Sequence, residues 1–190
     1  LRFDFSPFLH ESSHEAPCFI HQQGIPMKRR NMFQLFWAWL ASAAVPMSAA
    51  AANFPLKKTK AEWRKLVSPA AYAVLFEHGT ERPGSSSLNA EKRPGTYVCV
   101  ACNLPLFSAA HKYESGTGWP SFFQALPGAL GTTTDFKLIY PRTEYHCSRC
   151  GGHHGHVFDD GPKPTGKRFC NNGVALAFVP EGQTLPALRT

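Results

Sequence analysis

Two Cys-x-x-Cys motifs, Cys99/Cys102 and Cys147/Cys150, stand about forty-five residues apart and constrain this chain more than any other feature. Two such turns supply four thiolates in a tetrahedron, and zinc suits four sulfur ligands. The motifs lie in Tyr97-Val98-Cys99-Val100-Ala101-Cys102-Asn103 and Tyr145-His146-Cys147-Ser148-Arg149-Cys150-Gly151-Gly152. Each is a β-prone run followed by a tight turn, the shape of a zinc knuckle. A disulfide inside each motif is the alternative in an oxidising compartment. It would close a very small loop and add little stability. One zinc ion per chain is therefore expected in a structural role, because four sulfurs leave no position open for water.

The 190 residues suit one domain plus a leader. Residues 1–26 show no helical or strand period and read as a non-functional upstream extension, which would make Cys18 irrelevant. From Met27 the pattern is a signal peptide. Lys28, Arg29 and Arg30 form a basic start, residues 32–45 are apolar, and residues 48–52 are small, as cleavage requires. A membrane anchor is the alternative, but the apolar run is short for a span. Export to the periplasm with no stable membrane insertion after cleavage is expected. Arg29-Arg30-Asn31-Met32-Phe33 loosely resembles a twin-arginine signal, so both export routes stay open. The formal charge is +7, and beyond residue 53 the basic residues are scattered with no long run and no aromatic stripe. That favours a solvated basic surface over a nucleic-acid site.

Two short helices are predicted ahead of a β body. Thr59 and Glu62 form a capping box, followed by Trp63, Leu66 and Val67 at helical spacing. Ser68 and Pro69 restart a helix, Tyr72, Leu75 and Phe76 continue the stripe, and Gly79 offers a stop. Residues 80–95 read as a loop. Short strands are predicted over 96–100, 136–140, 144–147, 156–159, 168–170 and 174–179. Their Gly and Pro punctuation argues for an antiparallel, mainly β domain.

Cys170 belongs to neither motif. Arg168 stands two residues before it and Asn172 two after, so on a strand the three share a face. A nearby guanidinium favours the thiolate, although a lone strand cysteine also suits core packing. The segment Gly152-His153-His154-Gly155-His156 admits a second metal site, ordinary surface or core histidines, or proton transfer beside a thiolate. An extended strand would place His154 and His156 on one face and His153 on the other. A non-catalytic zinc-stabilised binding domain would explain the four cysteines but not Cys170, Arg168 or Trp119.

Three further motifs, taken in order, resemble the peptide-methionine (R)-S-oxide reductases. They are Gly116-x-Gly118-Trp119-Pro120-Ser121-Phe122, Gly155-His156-Val157-Phe158-x-Asp160-Gly161-Pro162 and Arg168-Phe169-Cys170-x-Asn172. The two Cys-x-x-Cys pairs match the zinc-binding members. The resemblance runs from about Lys60 to Phe178. It implies two antiparallel β-sheets with two or three short N-terminal helices, arranged as a helical segment over 53–95, a catalytic β domain over 96–180 and a tail over 181–190. It implies that Cys170 attacks the sulfoxide sulfur and is left as a sulfenic acid. By the same resemblance His153, His156 and Asp160 bind and protonate the sulfoxide oxygen, Arg168 and Asn172 shape the site, and Trp119 packs on the substrate methyl. Oxidised proteins are the implied substrates and a monomer is expected. Where many members carry a resolving cysteine this chain has Thr117, so a thioredoxin-like protein or a small thiol is expected to recycle Cys170.

Overall fold

Helix formation begins where the capping residues stand. The computed structural model describes residues 53–136 and 140–190. The upstream extension read over residues 1–26 and the signal peptide read over 27–52 lie outside them. Helix α1 (Lys60–Leu66) starts at Thr59, whose side chain accepts from the Glu62 amide while the Glu62 carboxylate accepts from the Thr59 amide. This reciprocal box is worth about 1 kcal/mol. Helix α2 (Pro69–Glu77) starts at Ser68 with Pro69 in its first turn. Trp63 stacks on Phe76 at 4.9 Å between ring centroids, so the two helices share an apolar seam.

The predicted stop is displaced by one residue. His78, not Gly79, takes the left-handed backbone, with φ 53°. Gly79 serves closeness instead, since a Cβ there would lie 3.0 Å from the Ala73 carbonyl oxygen. A left-handed histidine is uncommon, and this one aims its ring at the β body.

Nine short strands follow among the described residues: β1 (Gly95–Cys99), β2 (Pro105–Ser108), β3 (Lys112–Tyr113), β4 (Ser121–Phe122), β5 (Leu130–Asp135), β6 (Arg142–Cys147), β7 (His153–Phe158), β8 (Arg168–Asn171) and β9 (Leu176–Pro180). They form two antiparallel sheets, ordered β2-β1-β9 and β3-β4-β8-β7-β6-β5. The mainly β expectation holds. The strand predicted over 136–140 does not: Phe136 lies past the end of β5 and is exposed, and residues 137–139 are outside the described set. The actual strand comes just before. Its central Thr132, Thr133 and Thr134 are all exposed on a sheet edge, so no apolar alternation marks it.

Between the sheets lies an aromatic core. Phe107 stacks on Phe122 at 4.3 Å, Tyr97 meets Phe122 edge-on at 4.9 Å, and Tyr145 meets Phe169 edge-on at 5.4 Å. Phe122 and Phe169 are cross-strand partners on this inner face. Their sequence neighbours Ser121 and Cys170 therefore form the next pair, on the opposite face.

A β-bulge decides what that opposite face presents. Tyr145 pairs with Gly155 and His146 with His153, which leaves His154 without a partner across the ladder. The extra residue reverses the parity of β7. His153 and His156 come to one side with ring centroids 5.5 Å apart. This corrects the alternation expected for an unbroken strand. His154 is fully buried, and neither of its ring nitrogens has a hydrogen-bond partner among the described residues.

Burial lowers the pKa of His154 from 6.5 to about 4. The neutral ring is tolerated and the charged ring is not. Stability from this position is complete above the unfolded-state pKa and is lost as pH falls toward the folded-state one. His154→Leu removes the unpartnered nitrogens and is expected to stabilise the fold by about 1–3 kcal/mol at pH 7 in urea unfolding. At pH 5 its advantage should grow by about 2 kcal/mol. An advantage that shrinks between pH 7 and pH 5 would contradict the buried neutral state.

Candidate active site

Cross-strand pairing assembles the site in a row. Cys170 on β8 faces Ser121 on β4 and His156 on β7, and His156 in turn faces Glu144 on β6. Partners in one row share a face of the sheet. The strands can close here because residue 155 is glycine. A Cβ at Gly155 would lie 1.9 Å from the Cys170 carbonyl oxygen. The buried Tyr145 hydroxyl donates to that same carbonyl at 3.2 Å and fixes the Cys170 backbone from the core side.

A cleft of about 180 Å³ opens over this row. Cys170, His156, Trp119 and Asn172 line it, together with Thr80, Arg142 and Phe158. Three other residues expected at the site, His153, Asp160 and Arg168, do not line it. Arg168 donates to both oxygens of Asp160 at 2.8 Å and lies over the Phe158 ring at 4.3 Å. Asp160 is thus engaged by the guanidinium, which holds its carboxyl below the usual range. Among the described residues no hydrogen bond or ion pair joins it to either histidine.

The Cys170 thiol is balanced between opposing effects. Burial pushes it up, while the Arg168 charge and hydrogen bonds from Thr117 and Arg168 pull it down, and the net direction is up. The sequence pattern led us to expect a thiolate favoured by the nearby arginine. The lowering effect is present, but desolvation outweighs it, and the guanidinium is shared with Asp160.

Each site histidine is held by a carboxylate. His156 Nε2 donates to Asp135 at 2.8 Å, and Asp135 also accepts from Arg142 at 2.7 Å. His153 Nδ1 donates to Glu144 at 2.8 Å. A carboxylate only accepts, so these bonds fix the protonated nitrogen in each ring. Burial lowers the His156 pKa, with the Asp135 hydrogen bond opposing it. Burial works to raise the Glu144 carboxyl, but the His153 hydrogen bond and the charges of His153, His78 and His156 outweigh it, leaving the carboxyl below its usual value.

Asp135, Arg142, Glu144 and Glu81 did not stand out in the sequence. Arg142 and Glu144 alternate on β6, a period-two pattern that exposed strands share, and Asp135 ends the unrecognised strand β5. Glu81 lies in a loop. Its carboxylate accepts from the Gly173 and Val174 amides, and its carbonyl accepts from Trp119 Nε1 at 3.2 Å. The Asn172 side chain accepts from the Glu81 amide at 2.9 Å and donates to the His154 carbonyl at 3.0 Å. One loop residue thereby joins the indole wall to the segment after Cys170.

The four motif cysteines meet on the far side of the core. Cys99 lies 3.7 Å from Cys150 and Cys102 lies 3.5 Å from Cys147, sulfur to sulfur, and all are buried and unbridged. Their ligand atoms lie within 4.8 Å of one another. Tetrahedral bonds of ~2.3 Å place sulfurs about 3.8 Å apart, so the cluster fits a metal ion, whereas a disulfide needs ~2.05 Å.

The Thr117 hydroxyl gives a direct test of the thiol's balance. Thr117→Val removes a hydrogen bond that favours the thiolate, so the Cys170 pKa rises. The alkylation rate of the Cys170 peptide, followed by mass spectrometry, is expected to shift toward higher pH. Trp119→Phe should leave that profile in place, since Trp119 is not among the groups acting on the thiol.

The SelR domain family matches residues 67–180, more than half of the chain. A peptide methionine sulfoxide reductase MsrB of Methanosarcina barkeri is 48% identical over 127 residues, covering 66% of this chain and 89% of the relative. One from Pseudomonas putida is 48% identical over 126 residues, covering 66% and 95%. The chloroplastic peptide methionine sulfoxide reductase B1 of Arabidopsis thaliana is 47% identical over 116 residues, covering 60% and 57%. The matched segment contains the Cys170 row, the cleft and all four clustered cysteines, and with it this chain belongs to the SelR family of B-type peptide methionine sulfoxide reductases.

Proposed function

We propose that this chain reduces methionine (R)-sulfoxide in oxidised proteins, with Cys170 as the attacking thiol. The observation that carries the assignment is the cleft itself: a free thiol at its wall, an indole beside it and a carboxylate-held imidazole one strand away. A sulfoxide sulfur bears a polar oxygen and an apolar methyl on one stereocentre. Trp119 offers the methyl a wall, and His156 offers the oxygen a proton.

In the first step the Cys170 sulfur attacks the sulfoxide sulfur. Oxygen passes to Cys170, which is oxidised by two electrons to the sulfenic acid, and methionine leaves as the reduced thioether. The other ring nitrogen of His156, Nδ1, takes the Cys170 thiol proton and passes it to the departing oxygen, while Nε2 stays bonded to Asp135 and His153 stands at its back. Arg168 steadies the thiolate while remaining paired with Asp160. In the second step a thiol of a reductant attacks the sulfenic sulfur and expels water, and a second thiol releases Cys170 from the mixed disulfide. Thr117 occupies the loop beside Cys170 and has no sulfur to offer. The other four described cysteines are buried together, which supports an external reductant, either a thioredoxin-like protein or a small thiol.

Zinc is the ion that best suits the four-sulfur cluster, where it would cross-link the two sheets and supply no chemistry to the reaction. Residues 27–52 support export to the periplasm with cleavage near Ala52, and the enzyme is read as a monomer. No helix among the described residues is long and apolar enough to cross a membrane.

Purified protein should reduce the (R)-sulfoxide and leave the (S)-epimer, with turnover abolished in Cys170→Ser while one zinc per chain is retained. Loss of zinc together with activity in that variant would point to damage rather than chemistry. After one equivalent of (R)-sulfoxide and no reductant, mass spectrometry is expected to find oxygen on Cys170 and no intramolecular disulfide. Cys102→Ser should release the metal and cost more than about 4 kcal/mol of stability, the scale of losing a buried cross-link; a normal unfolding curve without metal would refute a structural role.

A further inference from the structure

Beside the cleft, on the side away from Cys170, the His153–Glu144 pair has a third member. His78 Nδ1 lies 3.3 Å from Glu144 Oε1, the same oxygen that accepts from His153 Nδ1 at 2.8 Å. The two rings are 5.5 Å apart and tilted by 48°. All three ligand atoms fall within 4.8 Å of one another. We propose that His78, Glu144 and His153 form a second metal site, one that takes a divalent transition ion such as Zn²⁺ in exchange with solvent.

The donor set and the spacing carry this. Two imidazoles and a carboxylate suit zinc and its neighbours. Bonds of about 2.0–2.2 Å place adjacent ligand atoms near 3.3 Å apart at the tetrahedral angle; the His78–Glu144 separation of 3.3 Å meets that value, and the His153–Glu144 separation of 2.8 Å is shorter, as befits a hydrogen bond that a metal would replace. The site differs in kind from the four-sulfur cluster. Its three protein ligands leave a position for water, and His78 is half exposed, so an ion has a path in. Each ligand comes from a separate element: His78 from the end of α2, Glu144 from β6, and His153 from the start of β7 at the bulge. The left-handed turn at His78 brings its ring to the other two.

Occupation would reverse the tautomer of His153. At present Glu144 holds the proton on Nδ1. A metal on Nδ1 leaves the single ring proton on Nε2 and breaks the hydrogen bond to Glu144. On the reading above, in which His153 backs the proton transfer, the bound ion is inhibitory. The site thus couples metal availability to repair, and this coupling rests on the proposed function while the binding does not.

The test is calorimetric titration of Zn²⁺ into the full chain carrying Cys170→Ser, with the four-sulfur cluster already loaded. His78→Ala is expected to weaken binding of one further ion at least tenfold. Glu144→Gln should do the same, and the exposed position of His78 keeps the first variant folded even where the second is not. Superimposable isotherms for the parent and His78→Ala overturn the site. With Cys170 restored, zinc should slow sulfoxide turnover. The half-inhibiting concentration should rise at least tenfold in His78→Ala, each rate being referred to that protein's own zinc-free value. Unchanged half-inhibition overturns the coupling even where the titration difference stands. A chain without sulfoxide turnover would sink the enzymatic reading and leave the titration to decide the metal site.

Discussion

The four buried sulfurs are the junction on which the rest of the structure hangs. Cys99 ends β1 and Cys102 sits in the turn after it, in the three-stranded sheet. Cys147 ends β6 and Cys150 precedes β7, in the six-stranded sheet. Their approach to 3.5–3.7 Å therefore ties one sheet to the other. The strands are two to six residues long, and stretches this short have little stability of their own. The Cys147–Cys150 turn also sets where β7 begins. Gly151 donates to the Cys147 carbonyl at 2.9 Å, and Cys147 donates to the Gly152 carbonyl at 2.9 Å. The strand carrying the histidines thus starts from a fixed point.

From that point one inserted residue determines the chemistry of the sheet's outer face. Without the bulge, His153 and His156 would point to opposite sides and His154 would join His156 beside the thiol. With it, the two carboxylate-held histidines stand together and His154 turns inward. The fold tolerates a buried, unpartnered imidazole to obtain this parity. A bulge re-aims side chains at a site in a way that no change of residue type could.

The helices, the antiparallel β body, the cysteine cluster and Cys170 were legible in the sequence because each rests on local chemistry. A capping box at Thr59 and Glu62, a Ser-Pro start at Ser68 and paired Cys-x-x-Cys motifs act over a few residues. Strand β5 was not legible because an edge of exposed threonines has no alternation, and β3 and β4 are too short to show a period. Asp135, Glu144 and Glu81 escaped for a different reason. Their roles depend on partners 7 to 93 residues away, such as His153 for Glu144 and Gly173 for Glu81, and nothing local distinguishes them from solvated acids. The bulge was invisible because it belongs to the pairing of two strands and not to either strand alone.

The division of the Arg168 charge bears on when Cys170, the proposed nucleophile, becomes reactive. A guanidinium devoted to Cys170 would hold a thiolate in the resting enzyme, open to any oxidant. Here Arg168 is paired in two parallel bonds with Asp160, and burial keeps the thiol pKa above its ordinary value. The resting thiol is therefore mostly protonated at neutral pH. A bound sulfoxide alters the terms of this balance. On the proposed function it would exclude water from the cleft and so strengthen the attraction between Arg168 and the developing negative charge. By the same proposal it would bring its own acceptor oxygen to His156, placing proton transfer and thiol attack in one enclosed space. The barrier to premature oxidation and the means of activation then come from the same geometry: a thiol too buried to ionise alone, beside a cation placed where the reaction develops charge.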